Sequence, residues 1–148
     1  MKFYVSILFV FTLIFGHAQE AGLWTDHLPY NSVNDIAVRG DNFYCATNQG
    51  YFIYNDANKE ITTHSKVNGL NDIGINALAY NVANELLIIG YKNGNIDLVS
   101  GSAIFNMADI KRASSYTGKK IINHIITSGD FAWVATDFGI VQIDVKKR

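Results

Sequence analysis

The chain has 148 residues, 49% of them hydrophobic and 17% charged, a balance that can build a core and excludes a disordered, self-repelling chain. Its 12 Lys and Arg against 13 Asp and Glu give a formal net charge of −1, which excludes nucleic acid as the expected partner because phosphate recognition needs a clustered cationic excess. The single cysteine, Cys45, cannot form an internal disulfide, so stability must come from burial and strand pairing.

The N-terminus reads as an export signal. Lys2 precedes an apolar run over residues 3–15 that is interrupted only by Ser6 and Thr12, and small residues at Gly16 and Ala18 follow. The run is too short to anchor in a bilayer, and the small-residue exit predicts cleavage between Ala18 and Gln19. The expected organisation is a signal peptide at 1–18 and a partial β-propeller at 19–148, with repeat units at about 33–67, 75–110 and 122–148. No later stretch approaches membrane length, so no transmembrane segment is expected after cleavage.

Strands follow in short apolar runs bounded by Gly, Asn and Asp. The first unit predicts strands at 34–39, 43–47, 51–55 and 60–66, with turns at Gly40-Asp41 and Asn48-Gln49-Gly50. The second predicts 76–80, 85–91, 95–99 and 103–107, with Asn93-Gly94 as a strong hairpin turn. Residues 108–115 are read as a loop. The third unit predicts 123–127, 132–136 and 140–145 and has no fourth strand before the chain stops.

The units are copies of one another. Shifting residues 33–55 by 89 positions lays them on 122–144 without a gap, pairing Asn34 with Asn123, Gly40 with Gly129, Asp41 with Asp130, Ala46 with Ala135, Thr47 with Thr136 and Gly50 with Gly139. Asn76 and Gly94 mark the copy between them. A period of about 40–50 residues holding several short strands is the pattern of an all-β propeller. The second strand of each unit is apolar on both faces, at Phe43-Tyr44-Cys45-Ala46, Leu86-Leu87-Ile88-Ile89 and Ala132-Trp133-Val134-Ala135. Such strands predict sheets sandwiched between neighbours, with Ala46, Gly90 and Ala135 where blades crowd. Three blades are too few to close a ring, so exposed blade faces and marginal stability are expected of 19–148 alone.

No catalytic constellation stands out, no metal or other cofactor is expected, and the chain reads as non-enzymatic. His27, His64 and His124 lack metal-ligand spacing. Asp41 and Asp130 are explained by a repeated Gly-Asp turn. Lys111, Arg112, Lys119 and Lys120 flank Ser114-Ser115 and form a basic loop able to meet an anionic saccharide or phosphate, though a solvated loop is the better explanation. Tyr30, Tyr51 and Tyr116 are candidate exposed platforms for sugar rings, and Cys45 a small buried hydrophobe.

Four stretches carry a family resemblance: Trp24-Thr25-Asp26-His27 through Asn31, Gly69-Leu70-Asn71-Asp72 through Asn76, Ile88-Ile89-Gly90-Tyr91 through Leu98, and Phe138-Gly139-Ile140 through Asp144. Together they resemble the first propeller of PorZ-type proteins of the Bacteroidetes type IX secretion system. The repeats are also similar to two-component-regulator propeller repeats. The resemblance implies an exported protein of the periplasm or outer cell surface, with two propellers and a small β-sandwich. Its implied partners are other secretion and attachment-complex proteins or anionic lipopolysaccharide. It also implies that residues 23–28 form an outer strand completing a last blade. The alternatives are a periplasmic ligand-sensing propeller of a hybrid two-component regulator and, more remotely, a propeller enzyme that degrades polysaccharide.

Overall fold

The computed structural model describes residues 27–147. The predicted signal peptide, its cut between Ala18 and Gln19, and most of the outer strand expected at 23–28 lie outside the described residues. Eleven strands in the described part form three separate antiparallel sheets, each a meander in chain order. The first is β1 (Asp35–Arg39), β2 (Asn42–Ala46), β3 (Gly50–Asn55) and β4 (Ile61–Ser65). The second is β5 (Ile75–Asn81), β6 (Leu86–Tyr91), β7 (Ile96–Ser100) and β8 (Ala103–Met107). The third is β9 (Ile122–Ser128), β10 (Phe131–Thr136) and β11 (Gly139–Asp144). These are the blades of an incomplete β-propeller, with each strand within a residue or two of its predicted bounds.

Strand register sorts each blade into two faces, because successive side chains alternate. In blade 1, Ala37, Tyr44, Ile53 and Thr62 align on the face toward blade 2, beside Ala46, Tyr51 and His64. In blade 2, Leu78 aligns with Ile89 and Asp97, and Tyr80 with Leu87, Val99 and Ile104, on the face toward blade 1. One apolar cluster joins those two faces. A second joins Ile88, Ile96 and Leu98 on the other face of blade 2 to Ile125, Ala132, Val134 and Ile143 of blade 3.

The middle blade is therefore sandwiched, and every residue of β6 is buried. The expectation of two buried faces fails for the outer blades. Strand β10 alternates, with Ala132 and Val134 buried and Trp133 37% exposed. A blade with a described neighbour on one side only has one dry face, and Ile36, Val38, Ile126, Phe131 and Ile140 stand exposed on the outer faces. Two further expectations are corrected. Tyr51, read as an exposed platform, is 2% exposed, because the register turns it inward toward blade 2. The loop at 108–115 contains one helical turn, α1 (Asp109–Arg112), pinned by buried Ile110, with Asp109 at its start and Lys111 and Arg112 at its end as the helix dipole favours.

Gly90 shows how tightly blades 2 and 3 meet. A Cβ there would lie 2.5 Å from Ile122 Cγ2 and 3.1 Å from Ile125 Cδ1, so only glycine lets the two inner strands approach this closely.

Candidate functional site

The repeated positions form three kinds of joint. The asparagines clamp blade to blade. Asn34 Nδ2 donates to the Ile75 carbonyl at 2.9 Å, and Asn76 Nδ2 donates to the Ile122 carbonyl at 2.9 Å. Asn76 sits where the β5–β6 register slips, and Asn123 where the β9–β10 register slips. A bulge of this kind turns a side chain out of the pleat, here toward the next blade. Asn123, with no following blade in the described part, donates instead to Asp137 Oδ1 at 2.9 Å.

The Thr and Gly positions close the turn between second and third strands. Thr47 Oγ1 donates to the Gly50 carbonyl at 2.9 Å and Thr136 Oγ1 to the Gly139 carbonyl at 2.8 Å. In blade 2 the equivalent turn has Tyr91 and Gly94, the latter at φ +83°, a conformation glycine adopts without strain. The Gly-Asp turns act through backbone: Asp41 O accepts from Asp56 N at 2.8 Å, and Asp130 O accepts from Val145 N at 2.9 Å. The Asp130 carboxylate also accepts from Asn84 Nδ2 at 3.1 Å and lies 3.4 Å from Lys146 Nζ. Among the described residues, no cluster of three or more His, Cys, Asp or Glu has a metal-binding arrangement.

The loops joining one blade to the next collect beside the turn between β6 and β7, and a polar network missed from sequence ties them together. Asp97, 0% exposed, accepts from Asn71 N at 2.9 Å, Asn71 Nδ2 at 2.9 Å, Tyr91 Oη at 2.7 Å and Asn106 Nδ2 at 2.8 Å. Burial, then the bond to Asp97, drives the Tyr91 phenol far above its ordinary pKa. Asp72 accepts from Asn93 Nδ2 at 2.7 Å and Asn95 Nδ2 at 3.2 Å and forms an ion pair with Lys111 at 2.6 Å. Burial opposes the Asp72 charge most strongly of any single influence, yet Lys111 and Asn93 together hold its carboxyl below the usual value. The available clue was an aspartate between Ile96 and Leu98 in an apolar strand, since a buried carboxylate requires donors around it.

The basic loop divides in two. Lys111 pairs with Asp72, and Lys120 Nζ donates to the Lys111 and Ala113 carbonyls at 3.0 and 2.6 Å. Arg112 and Lys119 are exposed and form no ion pair among the described residues. An open depression of about 500 Å³ is lined by Arg112 together with Asn106, Ala108, Asp109, Ala113 and Ser114. Tyr30 and Tyr116 are half-buried, in edge contact with Phe52 and tilted contact with Phe138. His124 is exposed on blade 3 and His27 lies before β1, far apart in the chain from His64 on β4. Cys45 is buried, and burial raises its thiol pKa.

Three comparisons bear on this arrangement. Residues 31–148 match the family described as the N-terminal β-propeller domain of PorZ of the type IX secretion system. Among solved structures, PorZ of Porphyromonas gingivalis, described as an essential bacterial surface component of that system, superposes with a TM-score of 0.76 at 23% identity, covering 85% of this chain and 17% of that one. The extracellular domain of a hybrid two-component system of B. thetaiotaomicron superposes with a TM-score of 0.64 at 17% identity, covering 78% and 16%. AztD of Citrobacter koseri gives 0.53 at 19% identity, covering 78% and 31%. No match was found among curated protein sequences. The chain thus spans about a sixth of the length of the PorZ structure it resembles.

Proposed function

The chain belongs to the family of PorZ N-terminal β-propeller domains, and from that premise we propose that it is part of an exported, non-catalytic interaction scaffold of type IX secretion and surface attachment. The family match across nearly the whole described region carries this reading. The structure suits such a role because its polar side chains hold loops and blades in place: Asp97, Asp72 and Lys111 are all committed to one another or to neighbouring turns. The exposed Arg112–Lys119 loop is presented outward and suits an anionic saccharide such as lipopolysaccharide.

Two measurements test the reading. Deletion of the gene in the source bacterium abolishes release of type IX cargo, and complementation with the intact gene restores it; unchanged cargo release rejects the scaffold role. Binding to anionic lipopolysaccharide weakens when Arg112 and Lys119 are both replaced by Glu, while binding to protein partners survives. If lipopolysaccharide binding is unaltered, the basic loop is not its contact. Export is tested separately: mass spectrometry of the secreted protein finds Gln19 as the first residue.

The likeness to a two-component extracellular domain speaks for a shared fold, and the family match favours the scaffold over a sensor.

A further inference from the structure

The two inter-blade seams differ in chemistry. Between blades 2 and 3 the buried hydrophobic side chains are all aliphatic, with buried Asn81 donating across the seam to the Gly129 carbonyl at 2.9 Å. Between blades 1 and 2 the outer part of the seam is lined instead by tyrosine, histidine and small polar residues. Tyr44 stacks on Tyr80 at 5.4 Å between centroids, and Tyr51 on His64 at 4.6 Å. Two adjoining cavities of about 180 and 330 Å³ open there and share Tyr51, His64, Val99 and Gly101. Ile53 and Leu87 wall the first, and Thr62, Thr63 and Ser102 rim the second. Together they reach the lower range of small-molecule sites, about 300–1,000 Å³.

Tyr51 gives the cleft its polar handle. Its side chain is 2% exposed, and its hydroxyl has no hydrogen-bond partner among the described residues. No fully buried side-chain N or O atom is left unsatisfied, so this hydroxyl reaches the open space of the cavities it lines. A buried phenol facing a cavity without a protein partner is a vacant donor and acceptor. No Asp, Glu, Lys or Arg lines either cavity. Arg39 lies over Tyr80 at 5.2 Å from the ring centroid and is already paired with Glu85 at 2.6 Å. Burial lowers the His64 pKa, which keeps this wall uncharged near neutrality.

The geometry points to a binding site for one neutral sugar ring in the cleft between blades 1 and 2, with Tyr51 as its hydrogen-bonding anchor. A pyranose has the matching chemistry: an apolar C–H face for the rings and aliphatic wall, and a hydroxyl rim for Tyr51, Thr62, Thr63 and Ser102. The site is distinct from the basic loop and independent of the scaffold reading.

Chemical-shift mapping of the full chain with methyl glucoside, methyl mannoside and N-acetylglucosamine tests it, with glucuronate and phenol as counter-probes. At least one neutral sugar is expected to shift Tyr51, His64, Thr62, Val99 and Gly101 and to leave Ile126 and Ile140 unmoved. Tyr51→Phe removes one hydrogen bond and weakens that sugar about fivefold, and Val99→Trp fills the cavity and abolishes binding. A disaccharide ending in the same ring that binds equally assigns the site to glycan ends, whereas binding of the monosaccharide alone assigns it to free sugar. The proposal is overturned if no neutral sugar shifts these resonances, if both variants bind as the parent does, or if phenol or glucuronate alone occupies the cleft.

Discussion

Asn76 and Asn123 occupy the same repeat position and the same bulge, yet they do different work, so replacing each with alanine isolates the blade clamp. Asn76→Ala removes the 2.9 Å bond to the Ile122 carbonyl, and Ile122 is 0% exposed. The cost is the lost bond plus a carbonyl left without its partner inside the seam, about 1–3 kcal/mol. Asn34→Ala acts alike, because its acceptor, Ile75, is also 0% exposed. Asn123→Ala breaks only an exposed contact with Asp137 and should stay within about 0.5 kcal/mol. With a urea m-value of roughly 1–3 kcal/mol/M, the two clamp variants lower the unfolding midpoint by about 1 M, and the Asn123 variant leaves it in place. Equilibrium urea melts followed by tryptophan fluorescence, at protein concentrations low enough to keep the chain monomeric, read this directly. Equal shifts for Asn76→Ala and Asn123→Ala, or no shift for Asn76→Ala, would refute the clamp.

Three further outcomes are expected. Asp97→Asn replaces an acceptor-only group by one that presents an amide N–H₂ to four donors; the loss is about 2–4 kcal/mol, with faster hydrogen exchange at Asn71 and Asn106, and native-like exchange there would contradict the network. Ile126→Lys combined with Ile140→Lys, on positions 58% and 76% exposed, reduces self-association in sedimentation without lowering the melting midpoint, and a collapsed midpoint would mean those side chains are core. The folded His64 pKa lies below its unfolded 6.5 because burial disfavours the charge, so stability is full above pH 6.5 and declines as pH falls through that value toward the folded pKa. His64→Phe should flatten that decline, and an imidazole titration at or above 6.5 by NMR would show the sign to be wrong.

The repeat was legible because its determinants are local. Gly-Asp and Asn-Gly turns need particular backbone conformations or side-chain bonds, and short apolar runs between them leave little choice but strands. The Thr and Gly positions likewise recur because each pair closes the same turn. The Tyr51–His64 seam and the Asp97 network were not legible, since each joins residues from different strands or blades. Asp97 in particular meets Asn71 across 26 positions of chain, and no local pattern announces such a partner.

Sequence alone determined the period, the strands and the kinship of the three units, since periodicity and turn chemistry are properties of neighbours along the chain. Tertiary structure decided which of three similar apolar strands is dry. Strand β6 is buried on both faces while Trp133 of β10 is not, because burial depends on what stands beside a sheet. For the same reason one asparagine joins two blades where its copy merely meets a nearby aspartate.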